Sequence, residues 1–196
     1  MSDYLVINTN QGIHGIYKDE YQWPDECSGL GVLDLIKDFM NPVGIEIGCD
    51  SGHTASTFLQ YRHDMFLNCV DPYVDFVDWD GRNYNNNDRQ RILSIFMDKM
   101  KPYENRYRLF KMTSDAAVNN FENESLDFVW IDGLHQYNQV LKDCRNYWPK
   151  LKKGGLFCGH DYKVIPGVNK AVDEFAAEIN VTVLTTIKDV WYWYKN

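Results

Sequence analysis

From Val43 to the C-terminus, short apolar runs alternate with helix-patterned segments, and this alternation constrains the fold more than any single motif. Strands are expected at Val43–Gly48, Met65–Asp71, Tyr107–Met112, Leu126–Asp132, Gly155–Asp161, Val181–Ile187 and Val190–Lys195. Helices are expected near Thr54–Tyr61, Asp88–Met100, Asp115–Phe121, Gln136–Leu151 and Val168–Glu178. Within Gln136–Leu151, Val140, Cys144, Tyr147 and Leu151 share one stripe, and Pro149 followed by Lys152-Lys153-Gly154-Gly155 supplies the stop. Such alternation specifies an α/β, Rossmann-like, doubly wound parallel sheet with helices on both faces. The last linker, from Ile187 to Val190, is too short for a crossover helix. The final two strands are therefore expected to pair antiparallel.

In a doubly wound sheet, ligands sit beyond the carboxyl ends of the strands, so the residues ending each strand are the candidates for chemistry. The first strand ends in Val43-Gly-Ile-Glu-Ile-Gly-Cys-Asp-Ser-Gly-His-Thr54. This is a buried strand, a glycine turn and a helix N-terminus, whose free N–H groups suit an anionic part of a ligand. A dinucleotide fingerprint would need glycines where Asp50 and His53 stand, and a phosphate loop would need a Gly-Lys-Ser/Thr ending that is absent. The second strand ends in Asp71, an acid placed to accept ribose hydroxyls, although Asp-Pro also opens ordinary turns. The third runs into Thr113-Ser114-Asp115, which can edge an adenine or simply cap a helix. The fourth ends in Asp132 with His135 three residues on, and the fifth in His160-Asp161. Ionisable groups gathered at adjacent strand ends serve a core poorly but can hold a metal or activate a hydroxyl.

The 196 residues, 44% of them hydrophobic and 15% aromatic, fit one domain with a full core. A net charge of −8 argues against nucleic-acid or anionic-membrane surfaces, which need clustered Lys and Arg. The compact basic cluster Lys150–Lys153 reads as the charged end of a helix. No run is long enough to span a membrane, and no basic region precedes the short apolar stretch at the N-terminus. Five cysteines without a CxxC pair read as small buried hydrophobes in a reducing compartment, so a cytoplasmic location is expected. Two segments stand outside the alternating core. Residues 1–30 form an N-terminal arm or lid, and the aromatic, Asn-rich stretch 73–87 is expected to be a lid loop rather than a disordered one.

The pattern Glu46-x-Gly48-x-x-x-Gly52 resembles the first motif of class I S-adenosylmethionine-dependent methyltransferases. The run Ile131-Asp-Gly-Leu-His-Gln-Tyr-Asn-Gln-Val140, with Gly154-Gly155-Leu-Phe-Cys-Gly-His-Asp161 and Pro166 to Phe175, is similar to the macrolide-sugar and cephamycin-type O-methyltransferases. That resemblance covers roughly Val43 to Phe175. It implies a seven-stranded sheet of order 3-2-1-4-5-7-6 whose last strand is antiparallel, within a single methyltransferase domain over 1–196. It also implies S-adenosylmethionine as cofactor, held by Glu46, Gly48, Ser51, Gly52, Asp71, Ser114, Asp115 and Asp132. Gly48 and Gly52 would permit close backbone approach. Methyl transfer to a small-molecule hydroxyl would be served by Asp132, His135, His160 and Asp161 as catalytic residues. In several members of that group a divalent cation, Mg or Mn, is held at the positions of Asp132, His160 and Asp161. An imidazole at position 160 suits Mg²⁺ poorly. Two other readings stand beside this one: a nicotinamide-dependent oxidoreductase, and a non-catalytic domain that binds the nucleoside cofactor or serves as an interaction module. A homo-oligomer is left open.

Overall fold

The protein is described from a computed structural model, over residues 4–9, 12–17, 28–187 and 189–196, with backbone alone for the first two stretches. Strands β1 (Tyr4–Thr9) and β2 (Gly12–Tyr17) form an antiparallel hairpin. Helix α1 (Gly29–Leu35) precedes β3 (Val43–Ile47), α2 (His53–Tyr61) and β4 (Phe66–Val70). Two short strands follow, β5 (Phe76–Val77) and β6 (Asn83–Tyr84), then α3 (Asn86–Met100) and β7 (Tyr107–Phe110). The chain continues through α4 (Ser114–Ala117), β8 (Leu126–Ile131), α5 (Tyr137–Tyr147), β9 (Leu151–Gly159) and α6 (Pro166–Glu178). It closes with β10 (Leu184–Thr185) and β11 (Trp191–Tyr194).

Seven strands make one sheet in the order β7-β4-β3-β8-β9-β11-β10. β7, β4, β3, β8 and β9 are mutually parallel, whereas β11 runs antiparallel to both β9 and β10. Numbered from Val43 through every strand, the order reads 5-2-1-6-7-9-8 rather than 3-2-1-4-5-7-6. The renumbering has one cause: the stretch expected as a lid loop contains the β5–β6 hairpin, which pairs only with itself.

Alternation along each strand feeds two cores, one on each face of the sheet. Ile45, Ile47, Val129, Ile131 and Phe157 point to the α5–α6 face, while Leu67, Cys69, Phe128, Trp130 and Cys158 point to the face of α1, α2 and α3. A side chain at Gly44 would lie 2.0 Å from the Phe128 ring, so that glycine leaves the room the ring fills.

Three local expectations need correction. Helix α1 falls where no helix was expected. The α5 helix ends at Tyr147, because Pro149 sits in a 3-10 turn (Trp148–Lys150) and lacks the N–H a helix needs. Lys152 and Lys153 therefore lie on β9 instead of ending a helix, and Lys152 bonds Asp127 at 2.8 Å. The Gly154-Gly155 pair forms part of an irregularity in the β8–β9 register rather than a helix stop. Cys49, Cys69, Cys144 and Cys158 are free and buried, and Cys27 lies outside the described residues. Among the described residues, no helix is long and apolar enough to cross a membrane.

Candidate active site

The strand ends of β3, β4, β7, β8 and β9 open onto a single cavity of about 660 Å³. Gly48, Asp132 and His160 continue the ladders just past their strands, donating to Val70 O (2.8 Å), Ile47 O (2.9 Å) and Ile131 O (3.1 Å). Glu46, Gly48, Ser51, Asp71, Ser114, Asp115, Asp132, His135, His160 and Asp161 all line this cavity. Gly52 does not. A Cβ there would meet Phe96 Cδ2 at 2.8 Å, and its φ of +75° is the left-handed region that favours glycine. Its smallness serves the packing of α2 on α3 rather than approach of a ligand. Gly48 is likewise fixed by the fold, since a Cβ would fall 2.2 Å from the carbonyl oxygen of Asp132.

Asp71 occupies the expected place but with its carboxylate already engaged. It is 5% exposed and accepts from Tyr73 N (2.9 Å), Asp50 N (3.0 Å) and Arg89 Nη2 (3.1 Å). Arg89, from the first turn of α3, is 4% exposed and also donates to Asp50 Oδ2 at 2.8 Å. Its guanidinium lies over the rings of Tyr73 and Phe76. The cavity-facing carboxylate that retains exposure here is Asp50, whose side chain is 59% exposed.

At the far side, Thr113 caps α4, accepting from Ala116 N, which leaves Ser114 free of that duty. Asp115 lines the cavity with its carboxylate engaged by Lys142 (2.7 Å) and Asn146 (3.3 Å). Two residues of α5, Gln139 from the run that carries the family resemblance and Asp143 one turn on, complete this wall, although neither was expected to have a role in the site.

The charged cluster gathers at the ends of β8 and β9. His135 Nε2 lies 2.9 Å from Asp161 Oδ2 and 4.0 Å from Asp132 Oδ1, while Nδ1 lies 3.2 Å from Asp78 Oδ1. His160 Nδ1 stands 3.4 Å from Asp161 and 3.6 Å from Asp132. Burial disfavours the His135 imidazolium, but Asp132 and Asp161 more than reverse this and push it up to about 10. Burial similarly opposes the Asp132 carboxylate, which His135 and His160 nevertheless hold below its ordinary range. Asp78, the third acid, comes from the turn after β5 and was not foreseen, since nothing near it in sequence marks it as more than a loop residue. Ligand atoms of Asp132, His135 and Asp161 all lie within 4.8 Å of one another. The trio suited to a cation thus includes His135 in place of the expected His160.

The β5–β6 hairpin covers this cluster. Phe76 and Tyr84 stack at 4.5 Å with a 6° interplanar angle, and both line the cavity with Val74 and Asp78. Gln136 Nε2 donates to Val77 O at 3.0 Å, tying the hairpin to the loop after β8. Of the N-terminal arm or lid, the side chain of Tyr17 and residues 18–27 lie outside the described residues.

A parallel sheet closed by a reversed strand, with a glycine loop and acids at its strand ends, defines the class I methyltransferase fold. A family described as "Methyltransferase domain" matches residues 45–162, and the chain belongs to it. An uncharacterised protein of Acanthamoeba polyphaga mimivirus is 27% identical over 140 residues, covering 68% of this chain and 60% of that protein. An uncharacterised protein of Sinorhizobium fredii (strain NBRC 101917 / NGR234) is 29% identical over 122 residues, 61% of this chain but 13% of that protein. This chain therefore spans only part of the length of these relatives. The solved structure of the O-methyltransferase NovP shares the fold, with a TM-score of 0.61 at 20% identity over 86% of this chain and 77% of that one.

Proposed function

We propose that this chain transfers a methyl group from S-adenosylmethionine to a hydroxyl oxygen of a small molecule. The observation that carries the reading is one cavity that joins the glycine loop after β3 to the Asp132–His135–His160–Asp161 cluster. S-adenosylmethionine would supply a methyl group already activated by its sulphonium. The cavity fits it: the N-terminus of α2, at His53 and Thr54, presents backbone N–H groups to a carboxylate, Glu46 offers a partner for an ammonium, and Asp50 offers one for the ribose. What remains for this chain is to align the acceptor and remove its proton. His135, held as an imidazolium among three acids, orients those carboxylates and donates; the proton is accepted by His160 or by a carboxylate of Asp132 or Asp161. Alternatively, with His135 neutral, a divalent cation held by Asp132, His135 and Asp161 would replace the imidazolium and supply Lewis acidity at the acceptor oxygen. That mixed oxygen and imidazole donor set suits Mn²⁺ or a later transition ion better than Mg²⁺. The stacked Phe76–Tyr84 pair and the −8 net charge favour a neutral or cationic small molecule over nucleic acid as acceptor.

Isothermal titration with S-adenosylhomocysteine and, separately, with NADH tests the reading. Micromolar-scale binding of the first and none of the second is expected. Binding of NADH alone would overturn it in favour of an oxidoreductase. Binding of S-adenosylhomocysteine with no methyl transfer across a panel of sugar and phenolic hydroxyls would instead indicate a non-catalytic cofactor-binding domain.

A further inference from the structure

Asp143, midway along α5, lines the cavity yet is only 1% exposed. Gln139, one turn earlier, donates through Nε2 both to Asp143 Oδ1 (3.0 Å) and to Ser114 Oγ (3.2 Å). The Ser114 hydroxyl bonds Asp143 in turn, and Tyr147 Oη donates to the Ser114 carbonyl at 2.8 Å. The start of α4 and the inner face of α5 are thus locked together around one carboxyl. Asp115, the other acid at this end, is taken up by Lys142 and Asn146. Among the described residues no cationic group lies within ion-pair distance of Asp143. A buried carboxylate without a counter-cation is costly, whereas a neutral carboxyl accepting two hydrogen bonds still offers an O–H donor beside an acceptor. Adenine presents the complementary pair, a 6-amino donor next to a ring-nitrogen acceptor.

We infer that Asp143 holds the adenine ring of the cofactor through its protonated carboxyl, donating to a ring nitrogen and accepting from the 6-amino group, with Gln139 and Ser114 fixing its plane. The inference rests on S-adenosylmethionine being the cofactor. Burial pushes Asp143 up to about 7, so the group changes charge within the working range. The groups facing it are few. Ser114 and Gln139 favour the ionised form, Asp115 from α4 opposes it, and Lys142 on its own helix favours it. The neighbouring Cys144 thiol and Tyr147 phenol are both raised by burial and stay neutral.

The test is S-adenosylhomocysteine titration from pH 6 to pH 9, repeated in buffers of differing ionisation heat, on the wild type, Asp143→Asn and Asp143→Ala. Wild-type affinity should hold below neutral pH and then fall towards about tenfold per pH unit, with uptake approaching one proton. Asp143→Asn keeps an amide donor and acceptor without titrating. It should lose that component of the pH dependence and bind more tightly than the wild type at the alkaline end. Asp143→Ala should bind about tenfold or more weakly than the wild type at pH 6 and lack the same component of the pH dependence. The wild type minus Asp143→Asn difference removes the ligand's own titrating amino group. Identical pH profiles in the two proteins would overturn the inference, as would wild-type binding without extra proton uptake if the Asn variant does not fold. Absence of S-adenosylhomocysteine binding at every pH, with NADH bound, would instead overturn the cofactor reading beneath it.

Discussion

At Gly52 a Cβ would sit 2.8 Å from Phe96 Cδ2 in a left-handed backbone, so Gly52→Ala should destabilise the protein by about 1–3 kcal/mol. Cofactor affinity of the folded protein should change little, and Phe96→Leu should recover part of the stability. Full stability with abolished binding would show that the glycine faces the ligand after all. The spacing of Gly48 and Gly52 was legible in the sequence, but their reasons were not, because Phe96 and Asp132 arrive from distant parts of the chain. Arg89 was invisible for the same reason. Replacing it with Met would strand the buried Asp71 carboxylate, a change worth roughly 3–5 kcal/mol when one partner of a buried pair is removed. Thermal unfolding of Arg89→Met at neutral pH checks this, and an unchanged midpoint would show the pair to be dispensable. Asp143 adds a pH signature. Its folded value lies above that of the unfolded chain, so the folded state holds the proton longer and stability declines as pH rises from about 4 to about 7. Asp143→Asn should remove that decline and unfold at a higher temperature than the wild type at pH 8. An equal decline in both would place the titrating group elsewhere.

The inner strands β3, β4, β8 and β9 were readable because packing on both faces demands apolar runs, whereas the edge strand β10 shrinks from the expected Val181–Ile187 to the exposed pair Leu184–Thr185. Helix α1 was not readable, since Gly29-Leu-Gly-Val-Leu-Asp-Leu35 carries two glycines, which cost about 0.5–1 kcal/mol each in a helix. The tertiary context offsets that cost: a Cβ at Gly31 would lie 3.0 Å from Ile187, so glycine spares the side chains of Thr186 and Ile187 a shift. The β5–β6 hairpin escaped notice because strands of two residues have no measurable alternation, and its order comes from the Phe76–Tyr84 stack and from contacts with the loop after β8. This element supplies Asp78 to His135 across 3.2 Å, which makes it part of the reaction end of the cavity on the proposed function. Asp78→Asn should therefore lower methyl transfer by about tenfold or more while S-adenosylhomocysteine affinity stays within a few-fold. Equal losses in both would mean that the hairpin acts on cofactor binding, through Arg89 and Phe76, rather than on the acceptor.

Across the whole molecule, the parallel sheet carries five strand ends to one side and so separates two tasks along a single cavity. On the proposed function, the ends of β3, β4 and β7 would meet the cofactor, and the ends of β8 and β9 the acceptor. Asp132→Ala and Asp161→Ala should accordingly reduce turnover far more than cofactor affinity, by the roughly 10²–10⁴ typical of a lost acid or base. The mainly parallel sheet and the gathering of polar residues at its strand ends were accessible from the sequence, because strand-end position follows from alternation. The partner of each acid was not, since His135 could reach Asp161 and Asp78 only after β9 and the hairpin had been placed beside it. The same crowding decides between a cation and an imidazolium as the group that balances the acids. If a divalent ion binds at Asp132, His135 and Asp161, chelation should abolish methyl transfer, Mn²⁺ should restore it, and His135→Ala should prevent restoration while sparing S-adenosylhomocysteine binding. If His135 itself balances the acids, turnover should survive chelator and still collapse in His135→Ala. Chelator-insensitive turnover that also tolerates His135→Ala and both aspartate variants would remove the cluster from the reaction.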